Sequence, residues 1–263
     1  MEFSSRIGFI GMGNMGRAIA QGFARSGMVA PAQLYAYAPH QDRLAQSARA
    51  IGFTPCASLA ELAASSDVCI LCCKPYQIEE VLQVLGEALA GKALLCVAAG
   101  WSFARFAPLV GSDVRVQCIM PNTPAMVGEG VLLFEQENSL APAERAQLME
   151  LFGSLGLVHE LPARLMGIGG TITGCGPAFV DLFLEAFADA AVKYGIPRAE
   201  AYALVSQMVL GSAKLQLETA QHPGVLKDAV CSPGGTTIKG VCALERAGLR
   251  AACMDAVDAV MNG

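Results

Sequence analysis

The stretch Arg6-Ile-Gly-Phe-Ile-Gly-Met-Gly-Asn-Met-Gly-Arg-Ala-Ile-Ala20, close to the start of the chain, decides the fold. Its first part predicts a short buried strand and its last part the beginning of a helix. Between them, Gly11, Gly13 and Gly16 form a G-x-G-x-x-G turn. At this place such a turn predicts a phosphate-binding loop, because the helix N-terminus offers free N–H groups and partial positive charge.

Each glycine of this turn has a separate predicted task. Gly11 permits the tight turn, Gly13 lets a pyrophosphate approach the backbone, and Gly16 lets the helix pack on the strand. We therefore expect Gly11, Gly13, Asn14, Met15 and Gly16 to bind a dinucleotide cofactor. The alternative is a plain glycine-rich turn.

Outside this turn, strands and helices alternate through the first 160 residues, which predicts a doubly wound, Rossmann-type α/β domain. The predicted strands cover residues 6–10, 34–38, 68–73, 93–98, 114–119 and 131–134. The last of these is a late or antiparallel edge strand. The predicted helices between them cover residues 15–26, 41–50, 78–85 and 143–155.

The pattern changes after about residue 160, where no further strand is predicted. Long helices are predicted over residues 176–195 and 198–221, and two shorter ones after residue 235. We therefore expect a nucleotide-binding domain over residues 1–161 and an all-helical domain over residues 162–263. The long helices are apolar around much of their circumference, which favours burial between subunits.

Composition narrows the classes of function. Hydrophobic residues make up 54% and charged residues 16% of the chain, against about 25% charged in typical soluble domains, so we expect a subunit interface. The net charge of −5 without a basic stripe argues against nucleic-acid binding. No window predicts a membrane span or a signal peptide, so we expect a cytoplasmic protein.

The pattern of the ten cysteines predicts free thiols in a reducing compartment rather than disulfides. Cys69 and Cys72 form a C-x-x-C inside a predicted strand, where side chains three apart point to opposite faces. We therefore expect no metal site there.

The end of the second predicted strand selects between cofactors. An acid there would bind the ribose 2′-hydroxyl of NADH, but the chain has Ala38 and Pro39, and Asp42 comes later. His40 and Arg43 instead favour the 2′-phosphate of NADPH over NADH. The alternative is that Arg43 is a solvated helix charge.

Further cofactor contacts are predicted where parallel strands end, because ligands of such sheets bind at that edge. Lys74 and Pro75 follow the third predicted strand, and Asn122 follows the fifth. Lys74 has the alternative of a surface charge, and Asn122 that of holding a turn before Pro124.

Six motifs occur in an order that resembles one family, the pyrroline-5-carboxylate reductases. They are Gly11-x-Gly-Asn-Met-Gly16, Cys73-Lys-Pro75, Met120-Pro-Asn-Thr-Pro124, Thr173-Gly-Cys-Gly-Pro-Ala178, His222-Pro-Gly-x-Leu-Lys-Asp228 and Ser232-Pro-Gly-Gly-x-Thr237. The resemblance implies a Rossmann domain, a helical dimerisation domain and, in many members, a ring of dimers. It also implies reduction of L-1-pyrroline-5-carboxylate to L-proline by NAD(P)H.

The resemblance places the substrate on the loop before the penultimate helix. Ser232 and the free N–H groups of Thr236 and Thr237 would hold the substrate carboxylate at a helix N-terminus, and Gly234 and Gly235 complete the expected substrate site. Thr237 would orient the ring nitrogen, since a hydroxyl can donate a hydrogen bond. The alternative is an ordinary helix cap.

Two cysteines depart from the family pattern, and two other functions stay open. Cys175 and Cys231 stand where the family usually has Ser or Thr. A 6-phosphogluconate-dehydrogenase-like reductase of a small acid or imine is one alternative. Its β-hydroxyacid dehydrogenase form would need Gly-x-x-x-Lys-x-x-Asn, which neither Lys193 nor Lys214 provides. A catalytically silent NADP-binding sensor is the other.

Overall fold

The chain divides into two compact units, Met1–Pro177 and Ala178–Gly263, in a computed structural model that describes residues 3–263. Within the described residues, all strands lie in the first unit, and the second unit consists of helices. The predicted fold class, a Rossmann-type α/β region followed by a helical region, is confirmed.

The strands of the described residues form one eight-stranded sheet in the order β3-β2-β1-β4-β5-β6-β7-β8. They are β1 (Ile7–Ile10), β2 (Leu34–Tyr37), β3 (Thr54–Pro55), β4 (Val68–Leu71), β5 (Ala93–Cys96), β6 (Arg115–Met120), β7 (Gly130–Asn138) and β8 (Gly156–Leu161). Neighbouring strands are parallel except β6 and β7, which are antiparallel. The order reverses at β1, where dinucleotide-binding sheets hold their ligand.

Helices of the first unit cover both faces of this sheet. They are α1 (Asn14–Ser26), α2 (Gln41–Ile51), α3 (Leu59–Ala64), α4 (Ile78–Leu85), α5 (Phe103–Phe106), α6 (Pro142–Gly153) and α7 (Ala163–Gly170). Side chains alternate between faces along a strand, so Phe9 belongs to a buried cluster with residues of α1, α2 and α6, and Ile10 to a second cluster with residues of α3, α4 and α5. Burial on both faces explains why the central strands are almost wholly apolar.

Most of the predicted elements are confirmed, but the far end of the sheet is not as predicted. The segment predicted as a four-residue strand over 131–134 is the nine-residue β7. It is antiparallel to β6, which confirms the prediction of an antiparallel strand. It is not an edge strand, because β8 pairs with its other side. Both β8 and the two-residue β3 were absent from our prediction.

Two glycines meet where β7 and β8 begin. Gly130 is paired with Gly156, whose φ is +141°. A Cβ atom on Gly156 would lie 2.0 Å from the carbonyl oxygen of Gly130, so no side chain fits there. Since β7 runs against β6, this crossing lies at the edge of the sheet where β1 and β4–β6 end.

The helices of the second unit leave little buried interior. They are α8 (Gly176–Lys193), which begins just before the unit boundary, α9 (Arg198–Thr219), α10 (Pro223–Val230), α11 (Thr236–Arg246) and α12 (Leu249–Met261). The buried apolar cluster of this unit consists of Ala188, Ala201 and Val205. Large apolar side chains such as Leu182 and Leu217 are mostly exposed. Of these helices, α10 was not predicted, because His222-Pro-Gly224 was interpreted as the end of a helix.

Helix α7 belongs to the first unit, because it packs on β7 and β8. A π-helical turn, Thr171–Cys175, follows it directly and leads into α8. The predicted domain boundary between residues 161 and 162 stays a prediction, and the division into compact units falls later, between Pro177 and Ala178. Among residues 3–263 no helix has the length and apolar character needed to cross a membrane.

Candidate active site

The turn between β1 and α1 gives each glycine of the motif a distinct environment. Gly11 has a φ of +98°, and a Cβ there would lie 2.8 Å from the backbone nitrogen of Cys73. A Cβ on Gly16 would lie 2.6 Å from the carbonyl oxygen of Gly11. Around Gly13, by contrast, no described residue other than its two chain neighbours has an atom within 4 Å of the Cβ position. Gly11 and Gly16 are thus required by the packing of the protein itself, whereas the open space at Gly13 fits an approaching diphosphate.

The N-terminus of α1 opens into this space. Gly13 is the N-cap residue, with φ −79° and ψ −161°, and no side chain caps the helix. The first turn holds no acidic residue. The first N–H groups of the 13-residue helix are therefore left for an anion, in the field of the helix dipole.

A cavity of about 740 Å³ lies against this turn. It is lined by Ile10, Gly11, Met12, Gly13, Asn14, Met15, Tyr37, Ala38, Pro39, His40, Arg43, Leu44, Leu59, Cys72, Cys73, Lys74, Pro75, Tyr76, Gln77, Val81, Val97, Ala98, Ala99 and Thr123. This set from the described residues includes two permanent cations and no carboxylate. Apolar walls with a cationic rim fit a ligand that carries both flat rings and phosphates.

The structure brings most of the predicted cofactor residues together. Gly11, Gly13, Asn14, Met15, His40, Arg43, Lys74 and Pro75 all line the cavity. Gly16 does not line it, since it packs beneath the turn. Their contact with a cofactor stays a prediction.

Asn122 is a second predicted cofactor residue that does not line this cavity, and its side-chain amide is used by the protein. Its Nδ2 donates to the carbonyl of Thr173 (2.9 Å), and its Oδ1 accepts from the backbone N–H of Val131 (2.8 Å). These bonds favour the alternative that Asn122 holds local structure, whereas the next residue, Thr123, lines the cavity.

The end of β2 carries positive charge. His40 is the N-cap residue of α2, and Arg43 lies in the first turn of that helix. Both are exposed and line the cavity, whereas Asp42, in the same turn, does not line it. A negatively charged substituent on a ribose would meet the guanidinium of Arg43 here.

The thiols in the wall are neutral at physiological pH. Burial raises the pKa of Cys73 to about 11, and it raises the pKa of Cys72 well above its ordinary value. A thiol needs its thiolate form to act as a nucleophile. These two cysteines therefore serve as small apolar wall residues.

In the second unit, the loop before α11 has the form of an anion receptor. Gly235 is the N-cap residue, in an extended conformation, and no side chain caps the helix. The backbone N–H of Gly235 donates to the carbonyl of Ser232 (3.0 Å). A Cβ on Gly235 would lie 2.3 Å from the hydroxyl oxygen of Ser232, so a larger residue there would displace that hydroxyl. Thr236 and Thr237, in the first turn, are exposed.

His222 has a structural contact nearby. It is the N-cap residue of α10, and its Nδ1 accepts the backbone N–H of Gly224 (3.1 Å).

Sequence reasoning missed several cavity residues. Tyr37, Ala98 and Ala99 lie at or just beyond the carboxyl ends of parallel strands. Because ligands of such sheets bind at those ends, their position in the sequence could have predicted that they line the cavity. Leu59 and Val81 come from the helical side, and no motif marks them. Apolar residues on a helix are ordinarily core residues, which hides this role.

A doubly wound sheet, a glycine turn and a helix N-terminus opening into a cationic cavity define a dinucleotide-binding protein of the oxidoreductase type. Comparison with known proteins gives the family. A family model described as pyrroline-5-carboxylate reductase dimerisation matches residues 163–263, and one described as NADP oxidoreductase coenzyme F420-dependent matches residues 6–100.

Relatives extend this match over nearly the whole chain. The pyrroline-5-carboxylate reductase of Treponema pallidum (strain Nichols) is 40% identical over 260 residues, which cover 97% of this chain and 98% of that protein. The enzyme of the same name from Escherichia coli (strain K12) is 39% identical over 258 residues, which cover 98% and 96%. The chain therefore belongs to the pyrroline-5-carboxylate reductase family.

A solved structure agrees in fold as well. The crystal structure of Plasmodium falciparum pyrroline carboxylate reductase with NADP bound has a TM-score of 0.90 to this chain, at 32% identity. The match covers 99% of this chain and 97% of that one.

Proposed function

We propose that this chain reduces L-1-pyrroline-5-carboxylate to L-proline, the last step of proline biosynthesis, with NADPH as the preferred cofactor and NADH as the lesser one. The observation that carries the proposal is its 40% identity to a reductase of that name over 97% of its length. The cavity at the glycine turn supports the cofactor part of the proposal independently.

The chemistry asks little of the protein's side chains. When bound, the nicotinamide ring supplies the hydride, and a protonated cyclic imine is already an electrophile. The protein's task is to hold the reacting carbons about 3–3.5 Å apart. This fits a site without a buried acid–base pair among the cavity residues.

For the cofactor, we propose that the N–H groups at the start of α1 bind the diphosphate. His40 and Arg43 would face the 2′-phosphate, and Lys74, Pro75 and the edge near Asn122 would contact the ribose and nicotinamide half. The absence of a carboxylate from the cavity wall supports a doubly charged 2′-substituent over a free hydroxyl.

For the substrate, we propose that Ser232, Gly234, Gly235, Thr236 and Thr237 hold the carboxylate at the N-terminus of α11. The uncapped first turn of this helix supports the proposal. Thr237 would be the catalytic residue, donating its hydroxyl hydrogen bond toward the ring nitrogen and orienting it.

The central test measures NADPH oxidation with pyrroline-5-carboxylate, beside NADP reduction with a 3-hydroxy acid. We expect turnover of the imine alone. Turnover of the hydroxy acid alone would replace the proposal with a hydroxyacid dehydrogenase, and cofactor binding without turnover of either would replace it with a sensor.

A substitution tests the catalytic residue. Thr237→Ala should lower kcat by roughly 10-fold or more, because a charge-assisted hydrogen bond contributes about 1.5–3 kcal/mol, while the Kd for NADPH stays unchanged. Thr237→Ser, which keeps the hydroxyl, is the control. An equal loss in kcat and in NADPH affinity would mean a structural role.

A second substitution tests the cofactor preference. Arg43→Ala should weaken NADPH by roughly 10-fold while NADH changes less than about 2-fold, because only NADPH carries the phosphate. Arg49→Ala, an exposed arginine of the same helix that does not line the cavity, is the control. An unchanged NADPH to NADH ratio would remove Arg43 from the phosphate site.

We also propose that the chain is a cytoplasmic homodimer that associates through its helical region, and that five such dimers form a decamer as the larger assembly. The exposed leucines of α8 and α9 support the dimer, since patches of this kind rarely stay exposed. The ten free cysteines support a reducing compartment. Light scattering across a concentration series measures the assembly, and a monomer at all concentrations would contradict it.

A further inference from the structure

The cavity has two walls that come from different parts of the chain. One is the 74–77 turn, in which Lys74, Pro75, Tyr76 and Gln77 all line the cavity. The other is the 97–101 loop after β5, of which Val97, Ala98 and Ala99 line it. The distance between these walls determines how well a flat ring system fits.

The 74–77 turn is shaped by its own bonds. The side chain of Gln77 accepts the backbone N–H of Lys74 (3.1 Å), and the backbone N–H of Gln77 donates to the carbonyl of Lys74 (2.9 Å). These local bonds give the turn its form, but they do not set its distance from the opposite wall.

Trp101 joins the two walls. Its indole Nε1 donates to the carbonyl oxygen of Pro75 (3.3 Å), across 26 residues of sequence. Only 7% of Trp101 is exposed, and the residue is not among those that line the cavity. The 97–101 loop therefore forms one wall with its first residues and holds the other wall with its last.

The indole ring is itself held in place. Phe106 packs edge-on against it, with the ring centroids 5.1 Å apart, and the guanidinium of Arg105 lies 3.9 Å from the ring centroid. Arg105 also pairs with Glu79 (3.4 Å), in the first turn of α4, which continues directly from the 74–77 turn. The Trp101 side reaches the opposite wall at a second point through this exposed ion pair.

The loop is anchored to the sheet behind it. The backbone N–H of Phe103, at the start of α5, donates to Oε2 of Glu135 on β7 (2.8 Å), a residue that is 1% exposed. The hydroxyl of Ser102 accepts the backbone N–H of Arg105 (3.3 Å). Two residues after Trp101, the chain is thus bonded to β7, an interior strand of the sheet.

We propose that Trp101 is a positioning residue for the cofactor: through its bond to the Pro75 carbonyl it fixes the spacing between the 74–77 turn and the 97–101 loop. It does so without touching the cofactor. The inference rests on the proposed use of NADPH, and it predicts that removing one N–H group outside the cavity weakens binding inside it.

The test uses Trp101→Phe in the full chain, which keeps an aromatic ring against Phe106 and removes the N–H donor. The Kd is measured from the fluorescence of NADPH without substrate, so the result does not depend on the imine reaction. We expect the Kd and the KM for NADPH to rise roughly 3- to 10-fold, the range that one lost hydrogen bond gives, while kcat stays within about 2-fold.

Phe106→Leu is the matched control, because it disturbs the packing of the same loop and leaves both the Trp101 indole N–H and the Pro75 carbonyl in the chain. It should lower Tm while the Kd for NADPH stays within about 2-fold. Arg105→Met, at an exposed position, breaks the second connection and should raise the Kd by about 3-fold, within the range of a surface ion pair.

The outcomes separate the two proposals. An unchanged Kd in Trp101→Phe, or an equal rise in Phe106→Leu, would overturn the positioning role. If Trp101→Phe does not fold, an unchanged Kd in Arg105→Met overturns it instead. A chain that binds NADPH in this manner but does not reduce the imine would overturn the proposed function and leave the role of Trp101 standing.

Discussion

The two units of this chain bury their apolar side chains to very different degrees. In the first unit, helices cover both faces of an extended sheet, and rings such as Phe9, Phe23, Phe134 and Phe152 are fully buried. In the second unit, the buried apolar cluster consists of two alanines and one valine. Both sequences are comparably apolar, so composition alone does not decide how much of a segment is buried within its own chain.

The comparison shows that the two units use apolar residues for different purposes. Those of the first unit stabilise a monomeric fold, because burial of apolar surface drives folding. Those of the second unit have no adequate interior of their own. The family model that matches residues 163–263 is described as a dimerisation region, which agrees with such a surface.

The largest effect should come from the aromatic cluster of the first unit. Phe152 packs edge-on against Phe23 (5.3 Å) and Phe134 (5.6 Å) and is fully buried, so Phe152→Ala should lower the free energy of unfolding by about 3–5 kcal/mol. Denaturation followed by the emission of the single tryptophan, Trp101, reports on this unit. Val84→Ala, at a position 66% exposed, is the control. A loss below about 1 kcal/mol would mean that the cluster collapses into the space.

The second effect tests the exposed side of the comparison. Leu182 on α8 is 68% exposed, so Leu182→Glu should leave the fold of a single chain intact. If the face is buried between copies, the dissociation constant of the dimer should rise roughly 100-fold, or ~2.7 kcal/mol.

Analytical ultracentrifugation over a dilution series measures that constant. Val84→Glu, at a similarly exposed position in the first unit, is the control and should leave it unchanged. Equal association of Leu182→Glu and the original chain would exclude this face from the interface.

The smallest predicted effect is a pH dependence of stability that arises in the first unit. The buried polar side chains of the described residues all lie in the first unit, and one of them is the carboxyl of Glu135. Burial raises the pKa of Glu135, an effect that the N–H of Phe103 partly opposes. Its folded pKa is therefore above its unfolded value. The resulting stability is fully present below the unfolded pKa, about 4.3, and is lost as pH rises through the folded pKa.

Glu135→Gln removes this titration and keeps an acceptor for Phe103. The stability of the original chain relative to the variant should fall as pH rises above about 4.3, because the original chain must then keep a buried carboxylate or a proton bound above its ordinary pKa. Denaturant titrations at a series of pH values measure the difference. A difference that is constant with pH would show that Glu135 does not change its protonation on unfolding.

The elements that the sequence predicts well carry a local signal. The β1 strand, the glycine turn and α1 are marked by sterically required glycines, and α4 begins and ends at the predicted residues. By contrast, β8 has the half-exposed sequence Gly-Leu-Val-His-Glu-Leu, and its pairing with β7 is a tertiary effect. Helix α10 was missed because Pro223 can end one helix or begin another, and here it occupies the first helical turn.

The site divides along the same line. Residues of the phosphate turn and of the β2 end were predicted because backbone geometry and charge require particular residue types. Asn122 was a weaker choice, since an amide that follows a strand can serve the ligand or the protein equally well. Trp101 carried no signal, because its role depends on which carbonyl lies 3.3 Å from its indole nitrogen, and no spacing rule encodes that.

The glycine crossing at Gly130 and Gly156 limits how this family member can diverge. It lies at the ligand-binding edge of the sheet, yet it tolerates no added methyl group. Substitutions of Gly130 or Gly156 are therefore not available as a route to binding a new ligand. The exposed loop after β2 can instead accept substitutions and insertions at little cost in folding stability. A search for altered cofactor use, in homologues or in laboratory libraries, should therefore concentrate on that loop.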